Sequence, residues 1–572
     1  MACLQALQIT EIVRMICDEA RSPYSFAQPS LFSLATTSKI FSNPALDGIW
    51  REPRSLVPLV KCMPDTLWEE RYVGSNVVIR LRRPIAVSDT PRLLFYSVRV
   101  RSLDMDGGHR ATLHHEVLRT LDMSMPPQPF MPKLYRFDWS PTKKAAVTIM
   151  RHFMGPQIRE INLDLGENVA NLSILPFIKS SCPLVSHFTL ELRTDRHSIP
   201  LISEAVCGWQ RLIHLSVPNL DMAGFIHVAQ LPSLISLSLC SQEDTTIHPP
   251  EFLSGPSFPT LKSLYIRCQT ARFCTGIIRV ISSRQFETLT IRLLTSWTTS
   301  AWQTVHTALR DCLNHKTLDS IDIEEEEGLL PPGDTALYGL SADALRPLFA
   351  FKRLTSISYP IYPALDVDDD FLEEMAMSWP RMRSLSFVNE AYYQPQPPRA
   401  TLKCLVSFAR HCSRLSGLGL RMDATNVPEF IQLPGDRIGT PLASLDVGAS
   451  PINSRKEAHV AAFISNLFPR VEYLFSLPTP PEVFETQAKS WDRVLDMLAV
   501  FSSVRSQEEE FWCKPDTYLH RISYTSRHLH HLTLPFSFSY SHHSSSNTIS
   551  RSYSVWPAFL VFLYLKFLKI SR

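Results

Sequence analysis

Few side chains in this 572-residue sequence stand at spacings that support chemistry. His114-His115 followed by Glu116 offers donors that a transition metal accepts. The spacing lacks a third ligand, however, and a helix from Thr112 to Leu121 explains the segment equally well. Arg80, Arg82, Arg83, Arg92, Arg99 and Arg101 form the one basic concentration. No Gly-rich loop accompanies them to cradle phosphate, so they read as a solvated surface. The acidic runs Glu324–Glu327 and Asp366–Asp370 read as solvated insertions, with a grip on a basic partner as the alternative. Twelve cysteines run from Cys3 to Cys513 without a CxxC pair. They read as reduced core thiols of an intracellular protein rather than a disulfide framework or a metal site. His528, His530, His531, His542 and His543 are a compositional cluster without ligand geometry. No nucleophile elbow, zinc-protease helix or phosphate loop occurs. The expectation is a non-catalytic chain with no cofactor and no metal.

The elements that position these residues follow from one recurring pattern. In Leu261-Lys-Ser-Leu264-Tyr-Ile266 the apolar residues alternate with Ser263, Tyr265 and Arg267, as in a short strand with one buried face. The pattern starts at Leu134, Ile158, Val185, Leu212 and Leu234, then at Leu261, Phe286, Leu318 and Leu354. It returns at Met382, Leu415, Leu442 and, more weakly, Val471. Spacings of 22 to 36 residues, most often 27, are the signature of a solenoid. Segments with helical spacing lie between: Leu172–Ile178, Ile202–Trp209, Gly276–Ile281, Trp302–Leu313, Ala342–Phe351, Phe371–Trp379, Leu402–His411 and Glu457–Leu467. Several end in Pro, at Pro183, Pro380 and Pro469, which stops the helix and turns the chain into the next strand. One strand and one helix per rib is the leucine-rich-repeat architecture, with parallel strands concave and helices convex. A substrate face on such an array is made of outward strand positions. The candidates are Asn162, Asp164, His187, Thr189, Glu191, His214, Ser216, Ser263, Tyr265, Arg267, Thr290 and Arg292, with Asp322 and Asp446 further along. Tyr265 and Arg267 stand out because Tyr and Arg are enriched at binding hot spots.

Bulk properties set the remaining limits. Apolar residues make up 45% of the chain, enough for a large core, and 57 basic residues face 55 acidic ones. That balance gives no electrostatic reason to propose nucleic acid. No basic region followed by an apolar stretch opens the chain, so cytosol or nucleus is expected. Trp491–Leu498 reads as a helix capping the array; 514–554 is rich in Ser, His and Tyr, and 514–572 reads as a disordered tail. The apolar stretch Val555–Leu565 is too short to span a bilayer, which takes roughly 20 residues, so no membrane is expected.

The N-terminus carries three short helical patterns: Leu4–Ile16 with Thr10-Glu11 as its entry, a second capped by Ser30, and a third from Ser38 to Trp50. Glu11-Ile-Val-Arg-Met-Ile16, Leu31-Phe-Ser-Leu34-Ala35, Thr37-Ser-Lys-Ile-Phe41, Pro44-Ala-Leu46 and Trp50 together resemble an F-box. More closely, they resemble the F-box-like segment that opens many fungal leucine-rich-repeat proteins. Trp50-Arg-Glu52, Leu56-Val-Pro-Leu59-Val60 and Met63-Pro-Asp-Thr-Leu67-Trp68 continue that likeness over roughly residues 4–70. The family often opens with Leu-Pro, where this chain has Ile9-Thr10. The resemblance implies docking on a Skp-type adaptor of a cullin-RING ubiquitin ligase. The contact would use Leu7, Ile9, Ile12, Ile16, Leu31, Leu34, Ile40, Phe41, Pro44, Leu46 and Trp50.

The expected fold is α/β: an F-box-like helical module (1–55), a connecting region with first irregular repeats (56–132), a leucine-rich-repeat solenoid (133–477), a capping helix (478–513) and the tail (514–572). The expected function is a substrate-recruiting adaptor subunit of a Skp-cullin-F-box ligase that binds a protein substrate. The alternative is a repeat scaffold without ligase association, whose N-terminal helices merely cap the array.

Overall fold

The computed structural model describes residues 9–20, 27–105, 111–125, 129–140, 147–166, 168–192, 198–241, 257–326, 337–360, 365–388, 397–429, 440–477 and 485–512. Residues 1–504 form one compact unit and 505–572 a second, of which 505–512 are described. Leu7, the histidine cluster and Val555–Leu565 lie outside the described residues.

Three helices open the chain: α1 (Thr10–Glu19), α2 (Ala27–Thr37) and α3 (Lys39–Ile49). The second begins before Ser30, so that residue is internal to α2 rather than its cap. Ser38 caps α3 by accepting the Ile40 N–H at 3.4 Å. Pro44 lies within α3 and removes the N–H that would reach back to the Ile40 carbonyl. The module has its own small core of Cys17, Leu31 and Ala45, backed by Leu34, Phe41 and Ile49. Small residues on α3 let α2 come close: a Cβ on Gly48 would stand 3.2 Å from Leu31 Cδ1.

Next come α4 (Val57–Lys61), β1 (Trp68–Val73) and β2 (Asn76–Leu81). β1 and β2 form an antiparallel hairpin that pairs Val73 with Asn76 and holds Gly74 at φ +63°. Then follow α5 (Pro91–Ser97), β3 (Ser102–Asp104), β4 (Ala111–Leu113) and α6 (His115–Ser124). β4 adds in parallel to β2, giving a three-stranded sheet β1-β2-β4. The helix expected from Thr112 therefore starts three residues later, because pairing of Ala111–Leu113 with Val77–Ile79 holds those residues extended.

From β3 onward the chain is a repeat. The strands are β5 (Arg136–Trp139), β6 (Glu160–Asp164), β7 (His187–Glu191), β8 (His214–Val217), β9 (Ser236–Ser241) and β10 (Ser263–Cys268). They continue as β11 (Thr288–Leu293), β12 (Ser320–Glu325), β13 (Ser356–Ser358), β14 (Ser384–Ser386), β15 (Gly417–Gly419), β16 (Ser444–Gly448) and β17 (Tyr473–Ser476). Together with β3 they make one 14-stranded parallel sheet in chain order. Between strands run α7 (Leu175–Ser181), α8 (Ile199–Val206), α9 (Met222–Gln230), α10 (Ala271–Val280) and α11 (Thr299–Cys312). Later come α12 (Ala342–Leu345), α13 (Asp369–Ser378), α14 (Cys404–His411) and α15 (Glu457–Leu467).

Burial alternates along the strands. Leu264, Ile266, Leu289, Ile291, Ile321 and Ile323 are buried, and their neighbours are half-buried on the open face. The buried side chains of all ribs join one continuous core. Helices α7, α13 and α15 each end in a non-helical residue before Pro: Cys182, Trp379 and Phe468. Pro disfavours the α conformation in the residue before it. The side chain at that position then turns inward; all three are at most 1% exposed.

A second repeat runs in the backbone. Just before each strand, one carbonyl accepts two consecutive N–H groups of the next rib: Arg101 from Tyr135 and Arg136, Lys262 from Glu287 and Thr288, and Ala443 from Glu472 and Tyr473. The series begins at Arg51, whose carbonyl accepts from Arg101 and Ser102 at 2.8 and 3.0 Å. The residue leaving the helical module thus serves as the first rung of the ladder, and the array starts at β3, within the segment expected to hold the connection and the first irregular repeats. At the other end α16 (Glu485–Trp512) buries Trp491, Val494 and Leu498. The Trp491 indole donates to the Ser450 carbonyl at 2.9 Å. This helix extends past the expected core Trp491–Leu498 at both ends and lies within the expected capping segment 478–513. Among the described residues, no helix is long and apolar enough to cross a membrane.

Candidate functional site: the open face of the sheet and the helical module

The parallel register aligns the outward side chains in rows. One row runs Asp138, Asn162, Thr189, Ser216, Ser238, Tyr265, Thr290 and Asp322. A neighbouring row runs Arg136, Glu160, His187, His214, Ser236 and Ser263. The proposed face residues therefore do share one surface, but their chemistry is segregated along it.

At the N-terminal end, Asp104, Asp138, Asp164 and Glu191 line a cavity of about 290 Å³ with Arg136, Asn162 and Thr189. Arg136 pairs with Asp138 at 2.7 Å and lies 3.9 Å from Glu160, and these carboxylates raise its pKa further. The Asn162 amide donates to Asp138. Asp164 accepts the Gly166 N–H at 2.8 Å. Next along, the His187 and His214 rings stack 6.3 Å apart. Burial, and then the charge His187 would carry, lower the His214 pKa, so His214 is uncharged near neutrality.

In the middle, Tyr265, Arg267 and Arg292 sit on adjacent strands, with Arg267 and Arg292 directly paired in register. Neither arginine is free. Both Glu326 oxygens lie 3.1 Å from Arg267 Nη2, and Glu324 lies 3.5 Å from Arg292. Of the acidic run expected to be a solvated loop, Glu324 and Glu325 end β12, and Glu324 and Glu326 pair with these arginines. The second acidic run is structural as well. Asp368 caps α13 by accepting the Phe371 N–H at 3.0 Å, Asp366 pairs with Arg399, and Asp369 accepts from Thr401. Beyond β12 the open positions of β13, β14 and β15 are Ser356, Ser358, Ser384, Ser386, Gly417 and Gly419, followed by Ser444 and Asp446 on β16. The exposed, parallel rings of Tyr473 and Phe475 close the row.

Three arginines of the basic concentration, Arg82, Arg83 and Arg99, are held in ion pairs. Arg83 grips Asp89 through two nitrogens at 2.7 and 2.9 Å, holding that carboxyl at about 2. Arg82 pairs with Glu69, and Arg99 with Asp47. Ten described cysteines are free. Burial pushes Cys182 and Cys412 up to about 12, so neither is a nucleophile near neutral pH.

On the module, Ile9, Ile16 and Ile40 are exposed, while Ile12, Leu34, Phe41, Pro44 and Leu46 are half-buried. Leu31 points into the module core. Trp50 leans the other way, stacking on Tyr96 at 4.7 Å against the core of the repeat. Two exposed residues escaped the sequence reading: Met15 at 70% and Phe32 at 65% exposure. Their signal was an apolar residue off the buried helix stripe.

No protein-family model matches the chain, and no curated protein matches its sequence. Among solved structures, the chain is similar to one in the crystal structure of the Rad7 and Elc1 complex in yeast. The TM-score is 0.33 and the identity 12%, over 64% of this chain and 85% of that one. A likeness this distant carries no argument about function.

Proposed function

We propose that this protein is a non-catalytic, substrate-recruiting adaptor of a Skp-cullin-F-box ubiquitin ligase. On this reading α1–α3 dock on the Skp-type adaptor and the open sheet face holds a protein substrate in cytoplasm or nucleus. The observation that carries the reading is the exposure of Ile9, Met15, Ile16, Phe32 and Ile40 on a module whose interior is already filled by Cys17, Leu31 and Ala45. Apolar side chains left outside a completed core call for a partner. The ligase would gain speed by holding substrate lysines at high local concentration, which requires no catalytic group here.

The second reading, a repeat scaffold whose helices only cap the array, is favoured by one feature. Arg51, Trp50 and Arg99 join the module to the first rib as a cap would be joined. Binding of the purified chain to a Skp-type adaptor separates the two. The ligase reading expects binding by the intact chain and its loss in folded Phe32→Asp and Ile40→Asp variants. A folded intact chain that does not bind, or variants that bind as tightly, would leave the scaffold.

A further inference from the structure

His114, His115 and Glu116 are brought together where the three-stranded sheet hands over to α6. One donor atom from each lies within 4.8 Å of the others. The backbone under them is fixed: Leu113 pairs with Ile79, the His114 N–H donates to the Ile79 carbonyl at 2.9 Å, and the His114 carbonyl accepts the Val117 N–H at 2.9 Å. The two imidazole rings stand 4.2 Å apart, tilted by 41°. Nδ1 of His114 is shut off from water and makes no well-aligned hydrogen bond; the Glu116 carboxylate, 3.2 Å away, is its ion-pair contact.

We propose that His114, His115 and Glu116 bind one divalent late first-row metal ion of the zinc type. Two imidazoles and a carboxylate are the donors zinc takes, and the absence of a thiolate argues against copper(I) or an iron–sulfur cluster. Three protein ligands leave a fourth position for water. His115 and Glu116 are exposed, so the ion can enter from solvent without any opening of the fold. Arg80 and the positive end of α6 both oppose a dication, and Glu116 alone offsets them in the set. The site is accordingly weak compared with a closed structural zinc centre. From sequence the segment lacks a third ligand and reads equally well as a helix; a strand ending at Leu113 and a helix starting at His115 bring successive side chains onto one spot.

The test is titration of the full chain with Zn²⁺ by calorimetry, comparing wild type with His115→Ala, Glu116→Gln and His114→Ala. Thiols and histidines elsewhere also bind zinc, so the readout is the difference between chains. His115→Ala, at an exposed position, should fold normally and lose one equivalent. Glu116→Gln should weaken that equivalent at least about tenfold, since even an outer-sphere partner commonly counts for about 10–100-fold. His114→Ala should abolish the equivalent even if it also lowers stability. Equal stoichiometry and affinity in wild type and folded His115→Ala would overturn the proposal.

Discussion

The helical module and the repeat solve the same problem at different scales. The module fills its centre with Cys17, Leu31 and Ala45 and leaves large apolar side chains outside. The repeat shares one core from Leu56 to Leu498, with Trp139, Trp209, Trp302, Trp379 and Trp491 almost wholly buried. A bundle of three short helices has too little volume to hide its apolar residues, whereas each rib hides its own against two neighbours. The two meet at Arg51, whose carbonyl starts the ladder, and at Arg99, which pairs with Asp47 and reaches Asn43 at 3.0 Å on α3.

The largest expected effect lies in the shared core. Trp302 is 1% exposed and contacts Trp297, His306 and Tyr359. Trp302→Ala should cost about 3–5 kcal/mol and lower the main unfolding transition of the array, read by denaturant melts. An unchanged transition would mean that the ribs are energetically separate.

The pH dependence of the same core comes next. The Ala344 carbonyl can only accept, so His306 donates to it through Nδ1 at 2.6 Å, and Nε2 accepts the Tyr359 hydroxyl at 2.9 Å. Burial drives the His306 pKa from 6.5 down to about 4. Below pH 6.5 the unfolded chain therefore binds a proton that the folded chain refuses. This contribution is full above 6.5 and shrinks by about 3 kcal/mol as pH falls to about 4. Asp89, held at about 2 by Arg83, loses its contribution only below its ordinary 3.8, beneath the His306 window. Between pH 6.5 and 4, wild type should lose more stability than His306→Gln, which keeps a neutral donor and acceptor. Parallel curves would refute this assignment.

Leu31→Ala in the module should cost about 2–3 kcal/mol, toward the low end for such a change, because so small a core can collapse around the gap. Loss of helix signal ahead of the main transition would mark the module as a separate unit. A single shared transition would show that the Arg51 rung couples it to the ribs. Arg99→Ala should have the smallest effect, about 1–3 kcal/mol confined to the junction, since Asp47 is half exposed. Faster proteolysis near residues 50–56 with unchanged ribs would sharpen the division.

The repeat was legible because period-two alternation and helical spacing are local. Each repeat of the pattern from Leu134 to Val471 overlaps a strand of the sheet, and each helical segment named between them overlaps a helix or 3₁₀ turn. What stayed hidden depends on partners distant in sequence. Ser102–Asp104 is too short to show a period and is a strand because Arg51 and β5 flank it. Val77–Leu81 alternates poorly in sequence, between a strand and a buried turn, and Glu69, Glu70 and Arg71 show no alternation; cross-strand pairing makes Trp68–Leu81 a hairpin. α9 was overlooked, although Asp221 caps it through the Gly224 N–H at 2.8 Å. On the open face, sequence gave each residue's direction but not its partners. Arg267 and Arg292 look like free binding residues until Glu326 arrives from two ribs beyond the first and Glu324 from the rib beside the second.

The most direct measurement of the central claim is hydrogen–deuterium exchange of the full chain with and without a Skp-type adaptor. The account predicts new protection over residues 10–49, with the strands from 136 to 476 unchanged. Protection on the sheet face with none on α1–α3, or no change anywhere at saturating adaptor, would contradict it.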